Sequence, residues 1–328
     1  MSNAAPSERG ELAVDAANAR GSRVLFFGRH CRLSAVPLRA LIDAGANLVG
    51  VVVPAPPRPG RHATPIRRRE PRRGPKLPLA GKAHGPALDS LAAEVAAPMF
   101  EVTDLRATAT RHALAETAPD VIAVSCFPLW IPPEVRSLAT RGAVNVHPSL
   151  LPRHRGPDPL FWVYRCGDTH TGVTVHLLTD RLDAGDIVAQ RTIPVEPGLP
   201  GDVLEARCAE VGADLLVQVV AQAAIGALRP RPQPTTGASY EGWPEEDDLK
   251  IDPEWTCTRA WHFARGILPL GYQPWFTDGR RTFIISHVTG VRPGIFVGEL
   301  VQRGPRGAAI QLADGVLDAE ITEGGNDR

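Results

Sequence analysis

Two short and almost wholly apolar runs, Arg23–Gly28 (RVLFFG) and Asn47–Val53, flank a single helical stretch, and this pairing restricts the fold more than any other feature. An apolar run without alternation that ends in Gly reads as a strand buried on both faces. Between the two runs, Ser34 stands at a predicted N-cap before AlaValProLeuArgAlaLeuIleAspAla, Pro37 falls in the first turn, and Gly45 supplies the stop. Two buried strands joined through a helix must lie parallel, with the helix as the crossover.

The alternation continues. Met99–Val102, Asp120–Cys126, Ala143–His147, Gly172–Leu178 and Asp186–Thr192 read as strands; Asp104–Thr117, Pro132–Ala139 and Val203–Ala227 read as helices. The expectation is a doubly wound, mostly parallel α/β sheet over 23–228. It is preceded by a flexible N-terminal extension, 1–22, and interrupted at 54–86 by a proline-rich, basic insert without periodicity, which reads as an exposed loop. Residues 229–248 read as a linker, proline-rich and then acidic. Beyond it, 249–328 reads as a β-rich domain, with strands at Arg281–His287, Gly294–Val301, Ala308–Leu312 and Gly315–Ile321.

Composition narrows the function classes. No stretch approaches the ~18 apolar residues of a membrane span, and residues 1–22 lack the apolar core of a secretory signal. Five scattered cysteines do not form a disulfide framework or a metal-ligand spacing, so a reducing cytoplasm is expected, with Cys126 as a small core hydrophobe. The formal charge is zero but unevenly distributed: 57–84 carries nine basic residues against Glu70, and 241–254 carries seven acids against Lys250. Such concentration bears on partners and solvation rather than on fold.

The chemistry-bearing segment is 143–156, AlaValAsnValHisProSerLeuLeuProArgHisArgGly. Asn145 and His147 are two apart at the end of a predicted strand, so both leave the same face. Strand C-termini of open α/β sheets face the ligand crevice. An amide donor beside an imidazole suits acyl transfer, the amide for an oxyanion and the imidazole for a proton, with an anionic group still needed to orient the imidazole. His176 reads as a hydrogen-bonded wall residue, and His154 and Arg155 as loop residues near the site. Gly28 has no following GlyXGlyXXGly, so a dinucleotide fingerprint is absent.

The order Asn-X-His, SerLeuLeuPro, ArgGly, GlyValThr and LeuAspAlaGlyAsp resembles the folate-dependent formyltransferase family, which includes enzymes acting on methionyl-tRNA, glycinamide ribonucleotide, sugar amines and hydroxyornithine. The resemblance implies a Rossmann-like catalytic domain followed by a barrel-like C-terminal domain. It implies N10-formyltetrahydrofolate as co-substrate and no metal. It carries Asn145, His147 and Asp183 onto the family's catalytic trio: Asn145 for the oxyanion, His147 for proton transfer, Asp183 to fix the imidazole tautomer and stabilise its charge. Folate contacts would come from Ser125, Cys126 and Phe127 at a strand end, from Ser149, Leu150, Leu151, Pro152 and Gly156 in the enclosing loop, and from Asp186. Pro148 after the His, and ArgGlyProAspPro in place of ArgGlyAlaAlaPro, depart from the methionyl-tRNA enzymes. A small amine acceptor (amino sugar, amino acid or hydroxylamine) is therefore favoured. The alternatives are charged tRNA engaged through 57–84, hydrolysis of formyltetrahydrofolate, and a non-catalytic RNA- or ligand-binding descendant of the fold.

Overall fold

The computed structural model of the chain describes residues 19–55, 64–72, 88–304 and 307–323. The opening strand–helix–strand unit is present as β1 (Arg23–Gly28), α1 (Arg32–Asp43) and β2 (Asn47–Pro54). It continues through β3 (Ile66–Arg69), α2 (Leu88–Glu94), β4 (Met99–Val102), α3 (Thr108–Ala115), β5 (Val121–Ser125), α4 (Pro133–Arg136) and β6 (Gly142–His147). Then follow α5 (Pro159–Cys166), β7 (His170–Leu177), β8 (Ile187–Pro194) and α6 (Gly201–Ala224). These strands form one sheet in the order β3-β4-β2-β1-β5-β6-β7-β8. The five strands from β4 to β6 run parallel, while β3, β7 and β8 pair antiparallel with their neighbours.

Burial on both faces explains the unbroken apolar runs. Along β1, Val24 and Phe26 enter one core with Leu38 and Leu41 of α1 and Leu216 of α6, while Leu25 and Phe27 enter a second core with Leu114 of α3 and Val135 of α4. Alternate residues serve opposite layers, as strand geometry requires. The second sheet is antiparallel, in the order β11-β12-β13-β10-β9, and curls into a half-barrel. Its strands are β9 (Trp275–Thr277), β10 (Thr282–Pro293), β11 (Val301–Gly304), β12 (Gly307–Leu312) and β13 (Gly315–Glu323), and α7 (Cys257–Ile267) packs between it and helices α5 and α6. Among the described residues, no helix is long and apolar enough to cross a membrane.

Five expectations change. Ser34 is not the N-cap of α1; Cys31 is, and the Ser34 hydroxyl instead donates to Ser125 O at 2.6 Å and accepts from Arg29 N at 3.1 Å, tying α1 to β5. Residues 19–22 are not a free extension: Ala19 is fully buried and Gly21 N donates to Gly45 O at 3.0 Å. The basic insert is not all loop, because Ile66–Arg69 form the edge strand β3; there Arg67 pairs with Glu101, and Arg69 bridges Glu101 (2.6 Å) and Asp89 (2.5 Å). Arg58, Arg61, Arg73, Lys76 and Lys82, with residues 1–18, lie outside the described residues. The strand expected at Gly294–Val301 is displaced, since β10 runs on to Pro293 and pairing resumes only at Val301. Finally, the segment 229–248 is tied down along its course rather than hanging free: Arg231 N donates to Ile187 O on β8 at 2.9 Å and Ser239 N to Pro152 O, in the loop after β6, at 3.1 Å.

Candidate active site

The chain builds outward from β1 to β2 and β4, then returns to place β5 on the other side of β1. The two central strands end together, with Gly28 opposite Ser125. At such a switch point the connections diverge and leave a crevice beyond the strand ends. A cavity of about 490 Å³ opens there, lined by Arg29 after β1, by Ser125, Cys126 and Phe127 at the end of β5, and by Asn145 and His147 at the end of β6. That volume suits a small-molecule site, for which about 300–1,000 Å³ is typical. Gly156, Asp158, Leu182 and Asp183 close one side, and Tyr240 and Trp243 another.

His147 is buried at the cavity floor. Its Nε2 lies 2.8 Å from the His154 carbonyl, which can only accept, so Nε2 carries the hydrogen and Nδ1 presents a lone pair. Nδ1 faces Asp183 Oδ1 at 3.8 Å. Burial lowers the His147 pKa below its ordinary 6.5, and the Asp183 carboxylate only partly offsets this, so the ring is neutral at pH 7. Burial opposes ionisation of Asp183 too, yet His147, His176 and the Gly156 N–H together hold its carboxyl well below the usual range. A neutral base and a fixed anion therefore share one space.

His176 makes Asn145 directional. His176 Nδ1 lies 2.9 Å from Leu177 O and so carries the hydrogen, leaving Nε2 to accept from Asn145 Nδ2 at 3.1 Å. The second Nδ2 hydrogen points to Asp183 Oδ1 at 3.5 Å, a long contact that an incoming oxygen can replace. Asp183 itself sits at φ +50°. Its Oδ2 accepts from Gly156 N at 2.9 Å, and Gln233 Nε2 donates to its carbonyl at 2.8 Å. Gly156 has φ +120°, and a Cβ there would meet Glu241 O at 2.0 Å, so only glycine brings this N–H to the carboxylate.

The structure brings together Asn145, His147, Asp183, Ser125, Cys126, Phe127 and Gly156 from the expected set. It does not bring Ser149, Leu150, Leu151, Pro152 or Asp186 to the cavity wall. Ser149 and Leu151 are occupied in bracing the loop: Ser149 Oγ donates to Arg153 O (2.7 Å), Thr174 Oγ1 donates to Ser149 O (2.7 Å), and Leu151 N donates to Thr174 Oγ1 (3.2 Å). That brace presents the His154 carbonyl to His147. Thus His154, rather than Asp183, fixes the imidazole tautomer. The His154 ring is turned away, onto Asp168 at 2.6 Å, and the Arg155 guanidinium donates to Gln233 Oε1 at 2.7 Å. The carbonyl of Asp186 accepts from Leu177 N at 2.9 Å behind the wall. Cys126 is a wall residue rather than a core hydrophobe, with Arg29 Nε donating to its sulfur at 3.1 Å.

Sequence reasoning missed Arg29, Asp158, Tyr240 and Trp243. Asp158 had a readable signal: AspPro before an apolar run and Gly167 after it mark the N-cap and stop of α5, where Asp158 Oδ1 accepts from Phe161 N at 3.4 Å. Its other oxygen accepts from the Tyr272 hydroxyl, which follows α7. Tyr240 and Trp243, 58% and 59% exposed, are aromatic in an otherwise polar segment, and only the fold shows that they stand at the cavity rim. Among the described residues, no group of three or more His, Cys, Asp or Glu side chains is placed to hold a metal ion.

The chain matches the family model for formyl transferase over residues 34–220. It is 34% identical over 230 residues to methionyl-tRNA formyltransferase of Chloroflexus aurantiacus, covering 70% of this chain and 68% of that one. It is 31% identical over 299 residues to the methionyl-tRNA formyltransferase of a Roseiflexus species, covering 89% and 82%. Among solved structures, its fold resembles the N-formyltransferase of Helicobacter canadensis in complex with folinic acid and dTDP-3-aminofucose, with TM-score 0.65, 15% identity and coverage of 92% and 100%. HypX of Aquifex aeolicus shares the fold at TM-score 0.60 and 17% identity, over 93% of this chain and 45% of that one. With the family model covering more than half its length and strand ends that converge on an amide, an imidazole and a carboxylate, the chain belongs to the folate-dependent formyltransferase family.

Proposed function

We propose that this enzyme transfers the formyl group of N10-formyltetrahydrofolate to the amine of a small polar acceptor, with Asn145, His147 and Asp183 at the reacting centre. The observation that carries the choice of acceptor is Asp158. It lines the cavity, it is held by the Tyr272 hydroxyl, and burial raises its carboxyl pKa above the ordinary range. A carboxylate in such a wall is best satisfied by an acceptor hydroxyl or amine, and an apolar group placed against it forfeits about 1–3 kcal/mol per polar partner left unmade. A methionyl side chain offers no such donor; in charged tRNA only the reacting amine and the sugar hydroxyls do. The arginines expected to reach tRNA are also partly committed, Arg67 and Arg69 being paired with Glu101 and Asp89.

Folate fits the residues present. The end of β5 at Ser125–Phe127 offers backbone groups, and Phe127, Leu129, Trp130 and Leu182 give an apolar wall for a flat ring. When bound there, the co-substrate supplies an activated formyl carbon. The amine nitrogen bonds to the formyl carbon and His147 Nδ1 takes its proton, while Asp183 stabilises the resulting imidazolium across 3.8 Å. The same proton passes to the folate nitrogen as its bond to the formyl carbon breaks and tetrahydrofolate leaves. Asn145 Nδ2, aimed by His176, releases its long contact with Asp183 and donates to the formyl oxygen as charge builds there.

The second reading is methionyl-tRNA as acceptor, favoured by the relatives at 34% and 31% identity. A formyl-transfer screen of the full chain with N10-formyltetrahydrofolate against charged tRNA, amino sugars, amino acids and hydroxylamines separates the two. Turnover with a polar small amine, lost in Asp158→Ala with folate binding kept, is the expected result. Charged tRNA formylated more efficiently than every small amine would give the second reading.

A further inference from the structure

Among the described residues, the charged side chains that line the cavity are Arg29, Asp158, Asp183 and Glu205. One guanidinium therefore shares the space with three acids, while His147 is neutral. An occupant carrying several negative charges would meet a wall of the wrong sign. Such a wall suits a molecule that is neutral or cationic overall and sets a single anionic group against Arg29.

Arg29 is placed for that contact. It follows β1 directly, and its backbone is tied down: Arg29 N donates to Ser34 Oγ at 3.1 Å, and Arg29 O accepts from Cys31 N at 2.8 Å. Its side chain leans across the end of β5, where Nε donates to Cys126 Sγ at 3.1 Å. Because β5 lies between β1 and β6, this lean carries the guanidinium toward Asn145 and His147 at the end of β6. Neighbouring strands stand about 4.8 Å apart, so the fork lies roughly one strand spacing from the reacting centre. Among the described residues its two Nη atoms have no hydrogen-bond partner, and no carboxylate forms an ion pair with it. Asp158, at the N-cap of α5, lines the same cavity. Burial raises its carboxyl pKa and the Arg29 charge opposes that rise, so the two groups sense each other without pairing. A cation and an anion that share one space and leave each other unpaired are complementary to a zwitterion.

We propose that the acceptor is an amino acid with two amines, held by its carboxylate on Arg29 and its α-ammonium on Asp158, with the second amine presented to His147. This rests on the reading of the site as a small-amine formyltransferase and narrows it to one substrate class. A planar guanidinium takes a carboxylate through two parallel hydrogen bonds, and with Nε committed to Cys126 the fork uses Nη1 and Nη2. Carboxylate and second amine then stand about one strand spacing apart, a span that a chain of a few methylene groups covers. An amino sugar carried on a diphosphate brings two negative charges to one guanidinium, and charged tRNA brings its phosphates. Neither matches a wall on which acids outnumber the cation.

The test is calorimetric titration of the full chain, saturated with folinic acid, with diaminobutyrate, L-ornithine and L-lysine, and with the carboxamide of each. At least one acid should bind, and its carboxamide about ten- to a hundredfold more weakly, the usual worth of hydrogen bonds to a charged group. In Arg29→Gln that preference should vanish, because the acid loses a contact that the amide never had, while folinic acid binds as before. Arg29→Lys keeps the charge without the fork and should restore part of the preference. In turnover with the best acid, Arg29→Gln should raise KM about tenfold or more and leave kcat within about threefold, since the carboxylate contact is the same before and during the reaction. Amides that bind as well as their acids, an acid preference that survives Arg29→Gln, or a variant that loses folinic acid as well would overturn the assignment. So would binding of none of these acids by a protein that binds folinic acid. The titration needs no transfer of a formyl group, so failure of the underlying reading shows itself separately, as no turnover with any acceptor in the screen above.

Discussion

His147 and Asp183 confront each other through Nδ1 and Oδ1 at 3.8 Å, while the opposite ring nitrogen is bonded to the His154 carbonyl at 2.8 Å. The anion and the base lone pair therefore lie on the same side of the ring. A carboxylate behind the imidazole would fix a tautomer; one beside its lone pair attracts the proton that the lone pair receives. At 3.8 Å the contact is too long for a strong hydrogen bond and leaves room for the amine hydrogen to arrive between the two.

The first expectation is mutual dependence within the trio. His147→Ala, Asp183→Asn and Asn145→Ala should each lower kcat by at least about 10²-fold, and the double variant His147→Ala/Asp183→Asn little more than the worse single one, since groups acting as a unit are not additive. Far-ultraviolet circular dichroism should be unchanged. Near-normal turnover in a His147 variant would remove the imidazole from the chemistry.

The second concerns pH. Burial lowers the His147 pKa, and the base works only when neutral, so activity rises with pH and the acid limb of kcat/KM has its midpoint below 6.5. In Asp183→Asn the anion that favours the imidazolium is gone. The residual activity should then show that midpoint moved to still lower pH. A profile measured with a fixed small amine decides this; a limb moving upward would mean that the titrating group is not His147.

Much of this arrangement was legible in the sequence, for a specific reason. The runs of β1, β2, β5 and β6 are apolar on both faces because both are covered, and the Asn145–Val146–His147 spacing places two polar side chains on one face at a strand end. What was not legible depends on distant partners. Gln233 and Tyr240 come from a segment with linker composition, and nothing local says that it crosses the strand ends. Arg67–Arg69 read as solvated charge because Glu101 and Asp89, which turn them into an edge strand, are 20 to 34 residues away. Pairing of that kind is a tertiary override of local composition.

Gly156 supports a third expectation. Gly156→Ala would drive a methyl group into the Glu241 carbonyl and displace the N–H that holds Asp183 Oδ2. Loss of that hydrogen bond to a charged acceptor, together with strain at a positive φ, should cost about 2–4 kcal/mol of stability, measured as a lower urea midpoint. Turnover should fall more than folate affinity does, because the reacting centre is disturbed while the β5 end is not. A variant with normal kcat would show that Asp183 is held adequately without Gly156.

The last expectation separates stability from recognition among the arginines of the basic insert. Arg69 is largely buried between Asp89 and Glu101, so Arg69→Ser leaves two carboxylates without their shared cation and should destabilise the fold by about 1–3 kcal/mol. Arg68 is exposed on β3, on the opposite side of the strand from that network, so Arg68→Ser should change stability by less than about 0.5 kcal/mol. With a small polar amine as acceptor, Arg68→Ser/Arg72→Ser should keep kcat/KM within about threefold, the mild effect usual for exposed substitutions. If charged tRNA were the acceptor, each lost phosphate contact would flatten the dependence of log affinity on log salt by about one unit, and KM for tRNA would rise steeply. Measuring the double variant at two salt concentrations, with both acceptors, therefore tests the basic edge for RNA contacts without disturbing the ion pairs that fold it. A flattened salt slope together with lost tRNA turnover would transfer the acceptor assignment to tRNA.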